Sequence, residues 1–133
     1  MQFSRNIDYA CIFLASLRPT FRSGRYYSLA GIAAREHLPL AFLERIAGTL
    51  RLRGVVEARK GSEGGYRLIR DPKRLTLKDI LAIFEMPPVM RCLRSSDPEK
   101  HCLLAEHCPT RKTWYSIERR LNKVYEGVTV AEL

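Results

Sequence analysis

The run Lys60-Gly61-Ser62-Glu63-Gly64-Gly65 narrows the folds open to this chain more than any other stretch. Three glycines in six residues disfavour a helix or a regular strand and supply backbone conformations that other residues avoid. On either side lie residues 55–59 and 66–70, whose β-branched and aromatic side chains suit extended backbone. The pattern predicts a β-hairpin with a glycine-rich tip. Just upstream, Leu43, Ile46, Ala47 and Leu50 recur at i, i+3, i+4 and i+7, the spacing of one buried helix face, and Gly54 stands where a left-handed residue would close that helix. Before it, Ser28 is placed to cap a short helix with Leu29, Ile32 and Ala33 inward, broken at His37-Leu38-Pro39. Two short helices across a tight turn form a helix-turn-helix, and the hairpin that follows is its wing.

The remaining segments extend this frame. Ile7, Ala10, Cys11 and Leu14, widened by Ile12 and Phe13, predict a well-buried helix over residues 4–17, with Pro19 marking its end. Thr76-x-x-Asp79 begins another helix carrying Leu77, Ile80, Leu81 and Phe84, which stops before Pro87-Pro88. Residues 86–109 hold four prolines and three cysteines without sustained periodicity and read as a loop. Trp114, Ile117, Leu121 and Val124 then mark one face of a helix over 110–126, ending at Gly127. The expected class is mainly α with a small β-hairpin: a winged helix-turn-helix with a long C-terminal dimerisation helix. Residues 1–75 form the DNA-binding domain in this reading, and 76–133 hold the linker helix, the cysteine loop and the dimerisation helix. A homodimer is expected because that terminal apolar stripe exceeds what one chain of 133 residues readily covers.

Charge indicates the partner. The chain carries a formal net charge of +9, which favours an anionic partner such as nucleic acid or a membrane surface. Residues 45–74 contain nine basic side chains and three acids, nine minus three or +6, so the excess is concentrated on the helix-turn-helix and hairpin. That distribution favours double-stranded DNA. No run approaches the length of a membrane span, and Met1-Gln2-Phe3-Ser4-Arg5 leads into an amphipathic helix instead of a cleavable leader, so a cytoplasmic protein is expected. No nucleophile–base constellation or phosphate-binding loop points to an enzyme.

The second helix of a helix-turn-helix enters the major groove by its N-terminal end, which makes Ala41, Phe42, Glu44 and Arg45 the candidate base readers. Arg45 suits guanine, Glu44 the amino group of cytosine, and Phe42 a thymine methyl, while the plainer roles are solvated charges and a core phenylalanine. Ser28 joins the candidate contact set at the start of the first helix of the pair. On the wing, Arg59, Lys60, Gly61 and Arg67 are candidates for phosphate or minor-groove contact.

Cys92, Cys102 and Cys108 form Cys-x9-Cys-x5-Cys beside His101 and His107. Soft thiolates with nearby imidazoles suit zinc or an iron-sulfur cluster, and free thiols or a redox dithiol are the alternatives. Cys11, on the apolar face of the first helix, reads as a buried inert thiol, and His37 as a surface residue in the turn.

Taken in order, Arg5-Asn6-Ile7-Asp8-Tyr9-Ala10, Leu43-Glu44-Arg45-Ile46, the Lys60-to-Leu68 hairpin motif, the three cysteines and the closing Val128-Thr129-Val130-Ala131-Glu132-Leu133 resemble the IscR/NsrR family of regulators over essentially the whole chain. The resemblance implies a dimeric winged helix that binds a partly palindromic operator, as repressor or activator, and senses iron-sulfur, redox or nitric oxide status or sulfur metabolism. It implies an iron-sulfur cluster, 2Fe-2S or 4Fe-4S, on Cys92, Cys102 and Cys108, and it matches Glu44 to a base-reading position. Two features depart from the pattern. Nine residues separate Cys92 from Cys102, a wider gap than relatives show, and Arg111 stands at the family's histidine ligand. Asp8 matches the position from which some members donate a carboxylate ligand across the dimer, and His107 and His101 are its rivals as fourth ligand. A metal-independent or zinc-stabilised regulator of the same family, for example one controlling sulfur metabolism, is the alternative.

Overall fold

The computed structural model describes residues 3–93 and 96–133. Met1 and Gln2, at the head of the expected domain over residues 1–75, and Arg94 and Ser95, inside the cysteine loop, lie outside the described residues. The elements run α1 (Arg5–Ser23), α2 (Leu29–Arg35), α3 (Leu40–Leu52), β1 (Val56–Arg59), β2 (Gly65–Leu68), α4 (Leu77–Ile83) and α5 (Arg111–Gly127), with short 3-10 turns at Arg91–Leu93, Pro98–Lys100 and Val130–Glu132. This is the predicted mainly α chain with one hairpin.

The first helix corrects the sequence-based boundary. Pro19 lies inside α1 and does not end it. A proline cannot donate to the carbonyl four residues back, here that of Ala15. Arg18 Nε donates to that carbonyl at 3.2 Å, which offsets the missing bond. The helix stops a turn later, where Gly24 adopts φ 68 and its N–H reaches the Thr20 carbonyl at 3.0 Å.

Ala10, Phe13, Leu14 and Leu17 of α1 are buried against Ile32 and Ala33 of α2, Leu43, Ile46, Ala47 and Leu50 of α3, and Val55, Val56 and Leu68 of the hairpin. Cys11 lies at the margin of this core, half-buried. The strands pair antiparallel, with Val56 opposite Leu68 and Arg59 opposite Gly65. Tyr27 adds an antiparallel bridge to Tyr66, so the wing is fastened to the segment between α1 and α2.

Thr76 and Asp79 form the predicted capping box at the start of α4. The chain end returns to the same core. Val130 is fully buried, its N–H donates to the Leu75 carbonyl at 2.9 Å, Thr129 bridges Thr76, and Arg18 Nη1 donates to the Ala131 carbonyl at 2.9 Å. Helix α5 packs on α4 and buries none of its own residues. Its side chains Trp114, Ile117 and Leu121 remain half-exposed, and Val124 is 61% exposed. Among the described residues, no helix is long and apolar enough to cross a membrane.

Candidate DNA interface and cysteine loop

The turn between α2 and α3 is closed by backbone. His37, exposed as expected, takes a left-handed conformation at φ 55, and the Leu38 N–H reaches back to the Ala33 carbonyl at 2.9 Å. The Ser28 hydroxyl caps α2 by accepting from the Gly31 N–H at 3.0 Å. In the first two turns of α3, Ala41, Glu44 and Arg45 are exposed and Leu43 is buried. Phe42 lies between its two readings, base contact and core. Its ring is half-buried, meets Tyr9 edge-on at 5.7 Å, and carries the Arg45 guanidinium 4.6 Å above its centroid. An aromatic face attracts a cation, so Phe42 also positions Arg45 on the exposed side of α3.

On the wing, Arg59, Lys60 and Gly61 are exposed. Arg67 is half-buried and already engaged. Its Nη2 lies 2.7 Å from Glu57 Oε1, the same oxygen accepts from the Tyr26 hydroxyl at 2.7 Å, and the Arg59 and Arg67 guanidinium carbons lie 5.5 and 5.6 Å from the Tyr26 ring centre. The Tyr26 hydrogen bond, followed by the charge and hydrogen bond of Arg67, holds the Glu57 carboxyl below its ordinary range, and that same Tyr26–Glu57 bond pushes the phenol up. This cluster ties both wing strands to the start of the helix-turn-helix.

Two of the three hairpin glycines are required by the fold itself. A Cβ on Gly65, at φ 141, would lie 2.2 Å from the Tyr27 carbonyl oxygen, and one on Gly64 would lie 2.1 Å from the Arg59 carbonyl oxygen. The Tyr27–Tyr66 bridge and the tight tip therefore exclude side chains there. Gly61, at φ 111, faces open space. A further anchor is Thr20, the one buried polar residue among those described, whose hydroxyl donates to the Leu17 carbonyl at 2.5 Å and accepts from the Leu68 N–H at 3.0 Å. Sequence reasoning passed over Thr20, Tyr26, Tyr27 and Glu57. The pair Tyr26-Tyr27 next to Ser28 carried a weak signal, since consecutive aromatics before a helix cap favour extended backbone.

Among its described residues the cysteine loop holds two short 3-10 turns, Arg91–Leu93 and Pro98–Lys100. Cys92 sits in the 3-10 turn Arg91–Leu93, and Cys92, Cys102 and Cys108 are half-exposed, unpaired thiols. The Thr110 hydroxyl, 3.5 Å from Cys108 Sγ, holds that thiol below its ordinary pKa through its hydrogen bond, with smaller help from the Thr110 and Arg111 backbone. His101, His107 and Asp8 are exposed, and His107 Nε2 lies 3.8 Å from a Glu106 carboxylate oxygen. Arg111 Nη1 donates to the Ala105 carbonyl at 3.4 Å. Among the described residues, no three His, Cys, Asp or Glu side chains are grouped to hold a metal ion. The donor types suit a soft metal, but the described residues of one chain do not assemble them into a site.

Comparison with known proteins accords with this architecture. The family model Rrf2, described as an iron-dependent transcriptional regulator, matches residues 3–133. A helix-turn-helix-type transcriptional regulator of Aquifex aeolicus is 30% identical over 135 residues, covering 100% of this chain and 91% of that protein. The regulator IscR of Yersinia enterocolitica is 28% identical over 106 residues, 79% of this chain and 62% of its own length. Among solved structures, CymR, the global cysteine regulator of B. subtilis, superposes with a TM-score of 0.77 at 25% identity, covering 99% of this chain and 95% of that one. The matched proteins are regulators and not enzymes. With a helix-turn-helix, a wing braced against it and a family match across residues 3–133, the chain belongs to the Rrf2 family of winged-helix, DNA-binding transcription regulators.

Proposed function

We propose that two copies of this chain bind a partly palindromic duplex in the cytoplasm, with Glu44 and Arg45 reading base edges and Arg59, Lys60 and Gly61 meeting the sugar-phosphate backbone. The observation that carries this reading is the exposure of those side chains on α3 and the wing while the nearby acid, Glu57, is engaged by Tyr26 and Arg67. Ala41 and Ser28 line the same approach, and Phe42 and Arg67 act chiefly as supports. In this division of labour residues 1–75 bind DNA, and 76–133 carry sensing and dimerisation. The test begins with selection of bound duplexes from a random pool. Affinity for the selected operator should fall with salt at a slope reflecting about 6–10 phosphates for a dimer. Lys60→Ala should weaken all sequences alike, and Glu44→Ala should change which sequence is preferred. Identical isotherms for wild type and both variants would overturn the assignment.

For the signal we propose an iron-sulfur cluster, 2Fe-2S or 4Fe-4S, held by Cys92, Cys102 and Cys108, with the fourth ligand from Asp8 of the second copy or from His107 or His101. Three unpaired thiols in one loop, the iron-dependent description of the family and the similarity to IscR support it. A second reading, a metal-independent or zinc-stabilised regulator of sulfur metabolism, is favoured by the lack of a grouped donor set among the described residues and by the similarity to a cysteine regulator. Anaerobic purification separates the two. Visible absorption and bound iron that disappear in each single cysteine variant are expected for the cluster, whereas a colourless, iron-free dimer with full operator affinity would establish the second reading.

A further inference from the structure

Helix α5 separates its charges by face. It carries five cations, Arg111, Lys112, Arg119, Arg120 and Lys123, and two acids, Glu118 and Glu126. Both acids are committed toward the α4 side: Glu118 accepts from the Val89 N–H at 2.8 Å, and Glu126 pairs with Lys78. Lys112, Ser116, Arg119 and Lys123 recur at i, i+4, i+7 and i+11, the spacing of a single stripe, with Arg120 beside them. None of these four cations makes an ion pair among the described residues, and all are exposed. Together with Tyr115, which is 55% exposed, they line a shallow groove. Leu121 lies nine residues from Lys112, about two and a half turns, so Lys112, Ser116, Arg119 and Lys123 face away from α4 and from the apolar seam proposed for the dimer, while Arg120, four residues before Val124, borders that seam.

We propose that this stripe docks an acidic segment of another protein while the regulator sits on DNA. Three cations in a row with a fourth beside them, none ion-paired among the described residues, complement carboxylates, and the exposed tyrosine among arginines is the side-chain mixture enriched where protein interfaces are tightly packed. The packing argues against the operator itself as the occupant. α3 packs on α1, α4 packs on α1 and α5 packs on α4, with no comparable packing of α5 on α3, so the stripe is carried by an element that is not seated against the recognition helix. The proposal adds to the DNA-binding reading and uses its duplex as a control.

The experiment takes the full chain bound to the selected duplex and titrates it into a fluorescein-labelled polyglutamate peptide, followed by the anisotropy of the label. Wild type should bind the peptide without releasing duplex. The variant with Lys112, Arg119, Arg120 and Lys123 all changed to Gln should bind it at least about tenfold more weakly, as expected for several exposed charge pairs, with unchanged circular dichroism and duplex affinity. Lys112→Arg with Lys123→Arg should retain peptide binding. Equal peptide binding by the Gln variant, displacement of the peptide by duplex, or capture through the stripe of a second duplex or of phosphatidylserine vesicles in place of peptide would overturn the proposal. Failure of wild type to hold any duplex would count against the DNA-binding reading alone, because the peptide arm can be run without DNA.

Discussion

Thr20 illustrates how one hydroxyl in an apolar core is tolerated. It is fully buried, yet it both donates and accepts, and its acceptor role satisfies the Leu68 N–H at the inner edge of the wing. Thr20→Val keeps the shape and strands that N–H, an arrangement that costs about 1–3 kcal/mol. Denaturant unfolding should show such a loss, and Thr20→Ser should recover most of it. Equal stability of the Val variant would mean that Leu68 finds another partner. The cysteines form a second contrast at this scale. Burial, and to a lesser degree the charge of Asp8, pushes the Cys11 thiol up to about 11, whereas Thr110 holds Cys108 down. In metal-free native protein at pH 8, alkylation mapped by mass spectrometry should modify Cys108 well before Cys11, because the thiolate is the reactive form.

Among the elements, the wing depends most on its surroundings. A two-stranded hairpin is marginal by itself, and here it is held at three points: Thr20 to Leu68, Tyr27 to Tyr66, and Tyr26 with Arg67 to Glu57. Since the Glu57 carboxyl has a lowered pKa in the folded chain, its contribution is present above the ordinary carboxylate pKa and is lost as pH falls through the folded value. Glu57→Gln should therefore speed amide exchange in β1 and β2 near neutral pH, and the difference from wild type should close under acid. A difference that persisted or widened in acid would remove the carboxylate from the brace. The helices rely less on such cross-links, because each buried stripe is defined by its own periodicity. Even so, the end of α1 depended on local chemistry around Pro19 that a rule for prolines alone misses.

At the scale of the whole molecule, α5 differs from α1 and α3 in having no buried residue. Trp114 and Ile117 are half-exposed, and Val124 is 61% exposed. Ile117→Glu places a charge on the proposed seam and should give a monomer in sedimentation at micromolar concentration. Loss of paired half-site binding should then weaken operator affinity by about a hundredfold or more. A dimer that survives the change would move the interface elsewhere. The return of residues 128–133 to the core links this helix to the DNA-binding half, since Val130 is buried with α1 and Thr129 bridges Thr76. Periodicity, caps and glycines in the sequence were enough to specify the helix-turn-helix, the hairpin and the terminal helix, because these features follow from local backbone preference and from which face must be buried. They were also enough to mark Glu44, Arg45, Arg59 and Lys60 as candidates, and the structure leaves all four exposed. Only the tertiary structure decided that Arg67 is engaged by Glu57 and Tyr26, that Gly64 and Gly65 are demanded by backbone contact, and that the three loop thiols are not gathered within one chain. Each of those outcomes depends on groups far apart in sequence meeting, or failing to meet, in space, which no local pattern encodes.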